Sequence, residues 1–347
     1  MTKYLLIFTL LTISFTLGLF TKGIDFTVTE SDQIPKINFD VRPLDKYTVE
    51  NLSSVNILPG KLVIKETLEE QKTYASFLFE LEFNPNLEEK TTKRVSGQIN
   101  FPTDADQPAQ AGFPTEPTKK YPIIVMLRGY VDQEIYRTGD GTRNAAAFFA
   151  ENGFITVAPD FLGYGKSDSE EGDIFETRFQ TYTTVLSLIK SLNQIQKWDS
   201  KNLFLWGHSN GGNVALIILE TTGASYPTTL WAPVSKPFPY SVLYYTDDSN
   251  DRGKLIRGEL SDFEELYDPD KYSLDLFFEK INAPLQIHQG EIDDAVPIDW
   301  SNQLVAKLRD LEKDVTYFTY KDTDHNMRPS WDTVVKRDLE FFKIHLE

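Results

Sequence analysis

Residues 202–220 read NLFLWGHSNGGNVALIILE, an apolar strand-like run, a Gly-His-Ser-Asn-Gly turn at 207–211 and a second apolar run of helix-forming residues. A serine set between two glycines where a strand passes straight into a helix stands on a sharp, strained turn with its hydroxyl exposed at the end of the sheet. The helix that follows aims its free backbone N–H groups and positive dipole end at the same point, where they can hold a developing oxyanion. Ser209 is therefore the candidate nucleophile. Gly207 and Gly211 permit the turn, and Gly212 lets the helix pack close.

On both sides of this turn the chain keeps one rhythm. Strands are expected at Pro122–Leu127, Phe154–Ala158, Asn202–Trp206, Thr228–Trp231, Pro284–His288 and Val315–Tyr320. Helices are expected at Asn144–Asn152, Phe175–Leu192, Asn213–Glu220, Trp300–Leu311 and Trp331–His345. Short, almost wholly apolar strands alternating with helices predict an α/β fold, a mostly parallel sheet covered on both faces. Upstream, the second half of Lys61–Phe83 alternates apolar and polar residues and Lys93–Phe101 repeats the pattern, which predicts a small N-terminal antiparallel β element. Pro102–Pro122 holds five prolines and reads as exposed loop. Between Trp231 and Pro284 lies a long insertion rich in aromatic and acidic residues, expected as a cap over the carboxyl ends of the strands. Its rings could line an apolar pocket or form the cap's own core. The division that results is 24–118 as spacer and β-rich extension, and 119–347 as the main domain with the cap at 232–283.

A serine hydroxyl needs a base, and a neutral imidazole needs a carboxylate to fix its tautomer. The chain has four histidines. His208 lies inside the turn and reads as a packing or hydrogen-bonding residue, His288 as a structural residue at a strand end, and His345 as a surface or packing residue of the last helix. His325, in KDTDHNM at 321–327 between the last strand and the last helix, is left as the base. The chain order serine, acid, histidine asks for a carboxylate after an intervening strand. LQIHQGEIDDAVP at 285–297 offers Glu291, Asp293 and Asp294. For the oxyanion, the expected donors are the backbone N–H of Asn210 and that of Tyr130, where Gly129 lets the loop after PIIVML come close. Arg128 reads either as a ligand for a substrate carboxylate or as a structurally paired cation.

GHSNGG at 207–212, APDFLGYGKSD at 158–168, INAPLQIHQGEIDDAVP at 281–297 and TDHNM at 323–327 together resemble the prolyl-oligopeptidase-type branch of the α/β-hydrolases, over residues 120–347 and in its short form without a propeller. The acid run of that family, a glycine, two residues, the aspartate and a valine three positions on, maps onto Gly290, Asp293 and Val296. The resemblance thus selects Asp293 as the acid and leaves Asp294 as a turn or capping residue. It implies a serine hydrolase working through an acyl-enzyme, first a peptidase of short peptides and second a carboxylic-ester hydrolase. Two departures stand out. Arg128-Gly129 replaces the usual His-Gly, and the N-terminal half is too short for a seven-bladed propeller, so gating of peptide size by one is not implied.

At 347 residues, with 40% hydrophobic and 13% aromatic content, the chain can build a large core. A formal charge of −17 argues against a nucleic-acid partner. The absence of cysteine removes thiol nucleophiles, disulfides and thiolate metal sites. There is no H-E-x-x-H, and DDSNDRG at 247–253 departs from a calcium loop at Ser249 and Arg252, so neither metal nor cofactor is expected. Lys3 followed by the apolar run Tyr4–Phe20 reads as an export segment. The poor fit of Thr16-Leu17-Gly18 to a cleavage site favours a retained anchor over a signal peptide within residues 1–23. The chain is then expected outside the cytoplasm, anchored through 4–20 or secreted. A catalytically silent extracellular binding module is the remaining reading, and the presence of all three triad candidates weighs against it.

Overall fold

The computed structural model describes residues 42–87, 92–103, 119–246, 249 and 251–347. The apolar run at 4–20 and the spacer as far as 41 lie outside the described residues, as does 104–118 of the proline-rich loop. Among the described residues no helix is long and apolar enough to cross a membrane.

Nine strands form one sheet. They are β1 (Lys61–Glu70), β2 (Tyr74–Phe83), β3 (Lys93–Pro102), β4 (Tyr121–Leu127), β5 (Ile155–Pro159), β6 (Trp198–His208), β7 (Thr228–Trp231), β8 (Leu285–Gly290) and β9 (Val315–Tyr320), in the spatial order β1-β2-β3-β5-β4-β6-β7-β8-β9. From β5 to β9 every neighbouring pair is parallel. β1, β2 and β3 are antiparallel to one another, and β3 joins β5 antiparallel. This is the mostly parallel, doubly covered α/β sheet that the alternation of elements predicts, in the α/β-hydrolase arrangement that the resemblance implies.

The helices are α1 (Val49–Ser54), α2 (Arg143–Glu151), α3 (Ile174–Ser191), α4 (Asn210–Thr222), α5 (Tyr240–Leu243), α6 (Lys254–Leu266), α7 (Ile298–Asp310) and α8 (Trp331–Ile344). α3 and α4 cover one face of the sheet with a cluster that includes Phe179, Val185 and Ile217. α2 and α8 cover the other with Phe149 and Phe342, whose rings meet edge to face 5.5 Å apart. Burial on both faces explains why β4 is apolar almost throughout, whereas β8 is equally buried but carries Gln286, His288 and Gln289, whose side chains find partners inside.

The N-terminal element differs from its expectation in two respects. It has three strands rather than two, because Lys61–Glu70 forms an exposed edge whose charges hide its strand character and also discourage pairing with other chains. It also extends the main sheet, within one compact unit from Arg42 to Glu347. β3 is buried from Val95 to Pro102, where a half-buried strand was expected. The insertion between β7 and β8 builds α5, α6 and three short 3-10 turns. Phe263, Tyr267, Tyr272, Phe277 and Phe278 are buried as core, with Tyr272 stacked 4.8 Å from Phe179 of α3. Tyr240, Tyr244 and Tyr245 stay largely exposed around Trp300.

One topological detail places the site. From β4 the chain crosses to β5 on one side and then returns to β6 on the other. Connections leaving in opposite directions open a crevice at the carboxyl ends of β4 and β6, the switch point where open α/β sheets bind ligands.

Candidate active site

β6 ends at His208 and α4 begins at Asn210, so Ser209 is the whole of the turn between them. Its backbone sits at φ +56°, ψ −120°, a conformation costly for a residue with a side chain and typical of an over-determined functional turn. Backbone hydrogen bonds hold it there. Ser209 N–H donates to Trp231 O at 2.9 Å, and Ser209 O accepts from Gly212 N–H and Val234 N–H, each at 3.0 Å, with Asn213 N–H adding a longer one at 3.4 Å. Gly211 packs against Leu127 at the end of β4, where an added Cβ would collide with the Leu127 carbonyl oxygen.

The loop after β4 closes on the same point. A Cβ on Gly129 would lie 2.9 Å from the Ser209 Cβ, which leaves room only for glycine. Tyr130 follows with its side chain exposed, and it lines a cavity together with Asn210. As the first helical residue, Asn210 has an N–H that the helix's own ladder does not use. The two expected oxyanion donors thus border one cavity beside Ser209.

Asp293 and His325 are brought together. His325 Nδ1–H donates to Asp293 Oδ2 at 2.9 Å, with the aspartate side chain fully buried and the imidazole 15% exposed. The remaining bonds of Asp293 come from Ala295 N–H (2.9 Å) and Val296 N–H (2.8 Å) on Oδ1, and from Gln289 Nε2 (3.0 Å) on Oδ2. Burial alone would raise its carboxyl, but the bonds from His325, Val296 and Ala295 outweigh it and hold the group below the ordinary carboxylate value. Asp294 and Glu291 are exposed.

The histidine loop is tied down on three sides. Ile292 N–H donates to Thr323 O at 3.2 Å, and Asp324 Oδ1 accepts from Asn326 N–H and Arg328 N–H at 2.9 and 2.8 Å. His208, the residue before the nucleophile, donates Nε2–H to the His325 carbonyl at 3.0 Å, and the two rings lie 4.6 Å apart. Burial, with the neighbouring His325 adding to it, pushes the His208 imidazole down to about 4 and keeps it a neutral prop. Among the described residues His325 Nε2 makes no hydrogen bond, so the link to Ser209 Oγ is open here, as such links often are before substrate tightens them.

Arg128 resolves as a structural cation. It is 6% exposed, donates Nη1–H to Gly129 O at 2.9 Å and Nη2–H to Asp160 O at 2.8 Å, and lies over Tyr136, Phe161 and Tyr164. His288 is not at a strand margin but wholly buried, bonded to Asp338 and Tyr320. Arg178 of α3 enters the same cavity as Asn210 and was missed by sequence reasoning. Its only signal is a guanidinium placed three residues after Phe175 and four before Tyr182, on the buried stripe of an amphipathic helix. Among the described residues no cluster of acidic groups or histidines could hold a metal ion.

The model for the prolyl oligopeptidase family matches residues 141–347. A relative from Bacillus subtilis, "Uncharacterized peptidase YtmA", is 25% identical over 195 residues, 55% of this chain and 72% of that protein. Among solved structures, the acetyl xylan esterase from Paenibacillus sp. R4 superposes with TM-score 0.62 at 15% identity over 86% of this chain and 92% of its own. The puromycin-hydrolyzing peptidase of Mycobacterium tuberculosis superposes with TM-score 0.54 at 18% identity over 74% of this chain, which spans 37% of that larger one. With the family model covering more than half of the sequence, the chain belongs to the prolyl oligopeptidase family, as a serine hydrolase on an α/β-hydrolase fold.

Proposed function

We propose that the chain is a serine peptidase that cleaves short peptides through an acyl-enzyme on Ser209, with His325 as base and Asp293 as acid. The observation that carries this reading is the 2.9 Å bond from His325 Nδ1–H to a buried, ionised Asp293, on a loop held against the Ser209 turn by His208. That bond fixes the tautomer whose Nε2 carries a lone pair. Nε2 takes the hydroxyl proton as Ser209 Oγ attacks the carbonyl carbon, and the N–H groups of Asn210 and Tyr130 hold the oxyanion. Collapse breaks the C–N bond, the imidazolium returns its proton to the departing amine, and water activated by His325 releases the acid from the serine ester. Peptides come first because the Bacillus relative carries the name of a peptidase.

An ester hydrolase on the same triad is the second reading. It is favoured by the acetyl xylan esterase match over nearly the full length of both chains, where the mycobacterial peptidase is matched over only part of its length. The proposal extends to place. The apolar run at 4–20 supports an enzyme outside the cytoplasm, held by an N-terminal anchor or secreted, and cell fractionation of the full chain tests this.

The deciding experiment treats the full chain and Ser209→Ala with a fluorophosphonate probe, followed by aminoacyl-nitroanilides and short acyl esters. Labelling of the wild type alone is expected, with faster nitroanilide hydrolysis. A folded wild type that takes no label overturns the hydrolase reading in favour of a silent binding module, and faster ester turnover replaces peptidase by esterase.

A further inference from the structure

The cavity bordered by Asn210 and Tyr130 has a volume of about 180 Å³, and its far wall comes from the loop after β5, from α3 and from the start of α4. No residue of the 323–327 loop lines it. A leaving group must depart toward the imidazole that protonates it, so a cavity on the oxyanion side without the histidine loop receives the acyl half of the substrate.

Its wall carries a cation, Arg178, whose only neighbours in hydrogen-bonding reach among the described residues are neutral, the Tyr182 hydroxyl and the Asn213 amide. Arg178 Nε is buried and has no hydrogen-bond partner. One guanidinium Nη2–H makes a long 3.4 Å bond to Asn213 Oδ1, and among the described residues no carboxylate lies within ion-pairing distance. Burying part of a charged donor set without a partner is costly, and an anion supplied by a ligand would relieve that cost. Asn213 is three residues beyond Asn210 on α4, so the guanidinium meets α4 one turn along from the expected oxyanion donor. An acyl chain that runs along that turn from the scissile carbonyl and ends in a carboxylate would meet the guanidinium within the one cavity.

The second cation in the wall, Arg128, also has an unpartnered buried Nε, but both its Nη groups are committed to carbonyls and its guanidinium is packed among Tyr136, Phe161 and Tyr164. Glu170 is the one carboxylate lining the cavity, against two guanidiniums, so the wall is net positive inside a chain of formal charge −17.

We propose that Arg178 selects substrates whose acyl half carries a carboxylate, either a peptide cleaved after Asp or Glu or a half-ester of a short dicarboxylic acid. The proposal rests on the serine hydrolase reading above and sharpens its substrate class. The shared chemistry is an anionic acyl group bound by the guanidinium while Ser209 attacks the carbonyl of the same acyl group.

The test compares kcat/KM on matched acidic and neutral substrates for the full chain. One arm sets the p-nitrophenyl half-ester of glutaric acid against p-nitrophenyl valerate, and the other sets acetyl-Glu-nitroanilide against acetyl-Gln-nitroanilide. The expected acidic preference is about 10- to 100-fold, the range of a charge-assisted bond. It should weaken with salt, fall to near unity in Arg178→Gln through a raised KM, and be partly restored in Arg178→Lys. The arm that turns over faster identifies peptide or half-ester as the source of the carboxylate. A wild type that labels with fluorophosphonate yet treats acidic and neutral substrates alike overturns this proposal and leaves the hydrolase reading standing. A wild type that does not label overturns both. The wild-type ratio decides even if the variants fold poorly.

Discussion

Two aspartate–histidine bonds of the same length occur in this molecule, and they are built for opposite purposes. His325 Nδ1 meets Asp293 Oδ2 at 2.9 Å on loops at the sheet's carboxyl end, and His288 Nε2 meets Asp338 Oδ1 at 2.9 Å inside the core. The core imidazole is used up. Its Nδ1 lies 2.7 Å from the Tyr320 hydroxyl, its ring stacks on Phe318, and neither partner has exposed surface. Asp338 also accepts from Trp231 Nε1 at 2.7 Å and Gln286 Nε2 at 3.3 Å, so the group joins β7, β8 and α8. The loop imidazole keeps Nε2 open and part of its ring exposed. An Asp–His contact therefore signals base catalysis only when the second ring nitrogen is left for a substrate-side partner.

Substitutions can break that contrast or sharpen it. The largest effect is expected from Asp293→Asn, where the loss of the tautomer-fixing acceptor lowers kcat by about 10⁴-fold in steady-state assays. A loss under tenfold would take the acid role away from Asp293. Asp338→Ala should do the reverse and destabilise the fold by about 3–5 kcal/mol in urea denaturation, with kcat per folded molecule little changed.

A third prediction concerns His208, which has no carboxylate. Its folded-state value of about 4 lies below its ordinary 6.5, so the unfolded chain binds the proton first and stability is lost as pH falls from 6.5 toward 4. His208→Gln, which keeps a donor for the His325 carbonyl, should flatten the dependence of the urea midpoint on pH across that window. An unchanged slope would mean that His208 is not the group responsible. The smallest effect belongs to Asp294→Asn, where less than a threefold change in kcat/KM is expected because the side chain is exposed. A drop rivalling that of Asp293→Asn would exchange the two roles.

What could be read from the sequence follows the range of the interactions involved. The Ser209 turn was legible because strand, glycines and helix are neighbours along the chain, and β4 and the second half of β6 because burial on both faces makes them mostly apolar. β1 was not, since an edge strand written KLVIKETLEE spends its pattern on charge. The choice between Asp293 and Asp294 depends on a turn that points Oδ1 at the N–H groups of Ala295 and Val296, a geometry that adjacent identical residues cannot announce. The partners of His288 and the cavity around Arg178 come from segments far apart in the chain, beyond any local pattern.

The three antiparallel strands added at one flank have a consequence for how the molecule comes apart. With them in place, β6 has five strands on one side and three on the other. Fraying begins at unpaired margins, so β1 and β9 should exchange their amide hydrogens soonest and β4 and β6 last, at the rate of global opening. The strained turn at Ser209 is thus clamped by the slowest-exchanging part of the molecule, and warming should leave the chemistry intact until the whole sheet gives way.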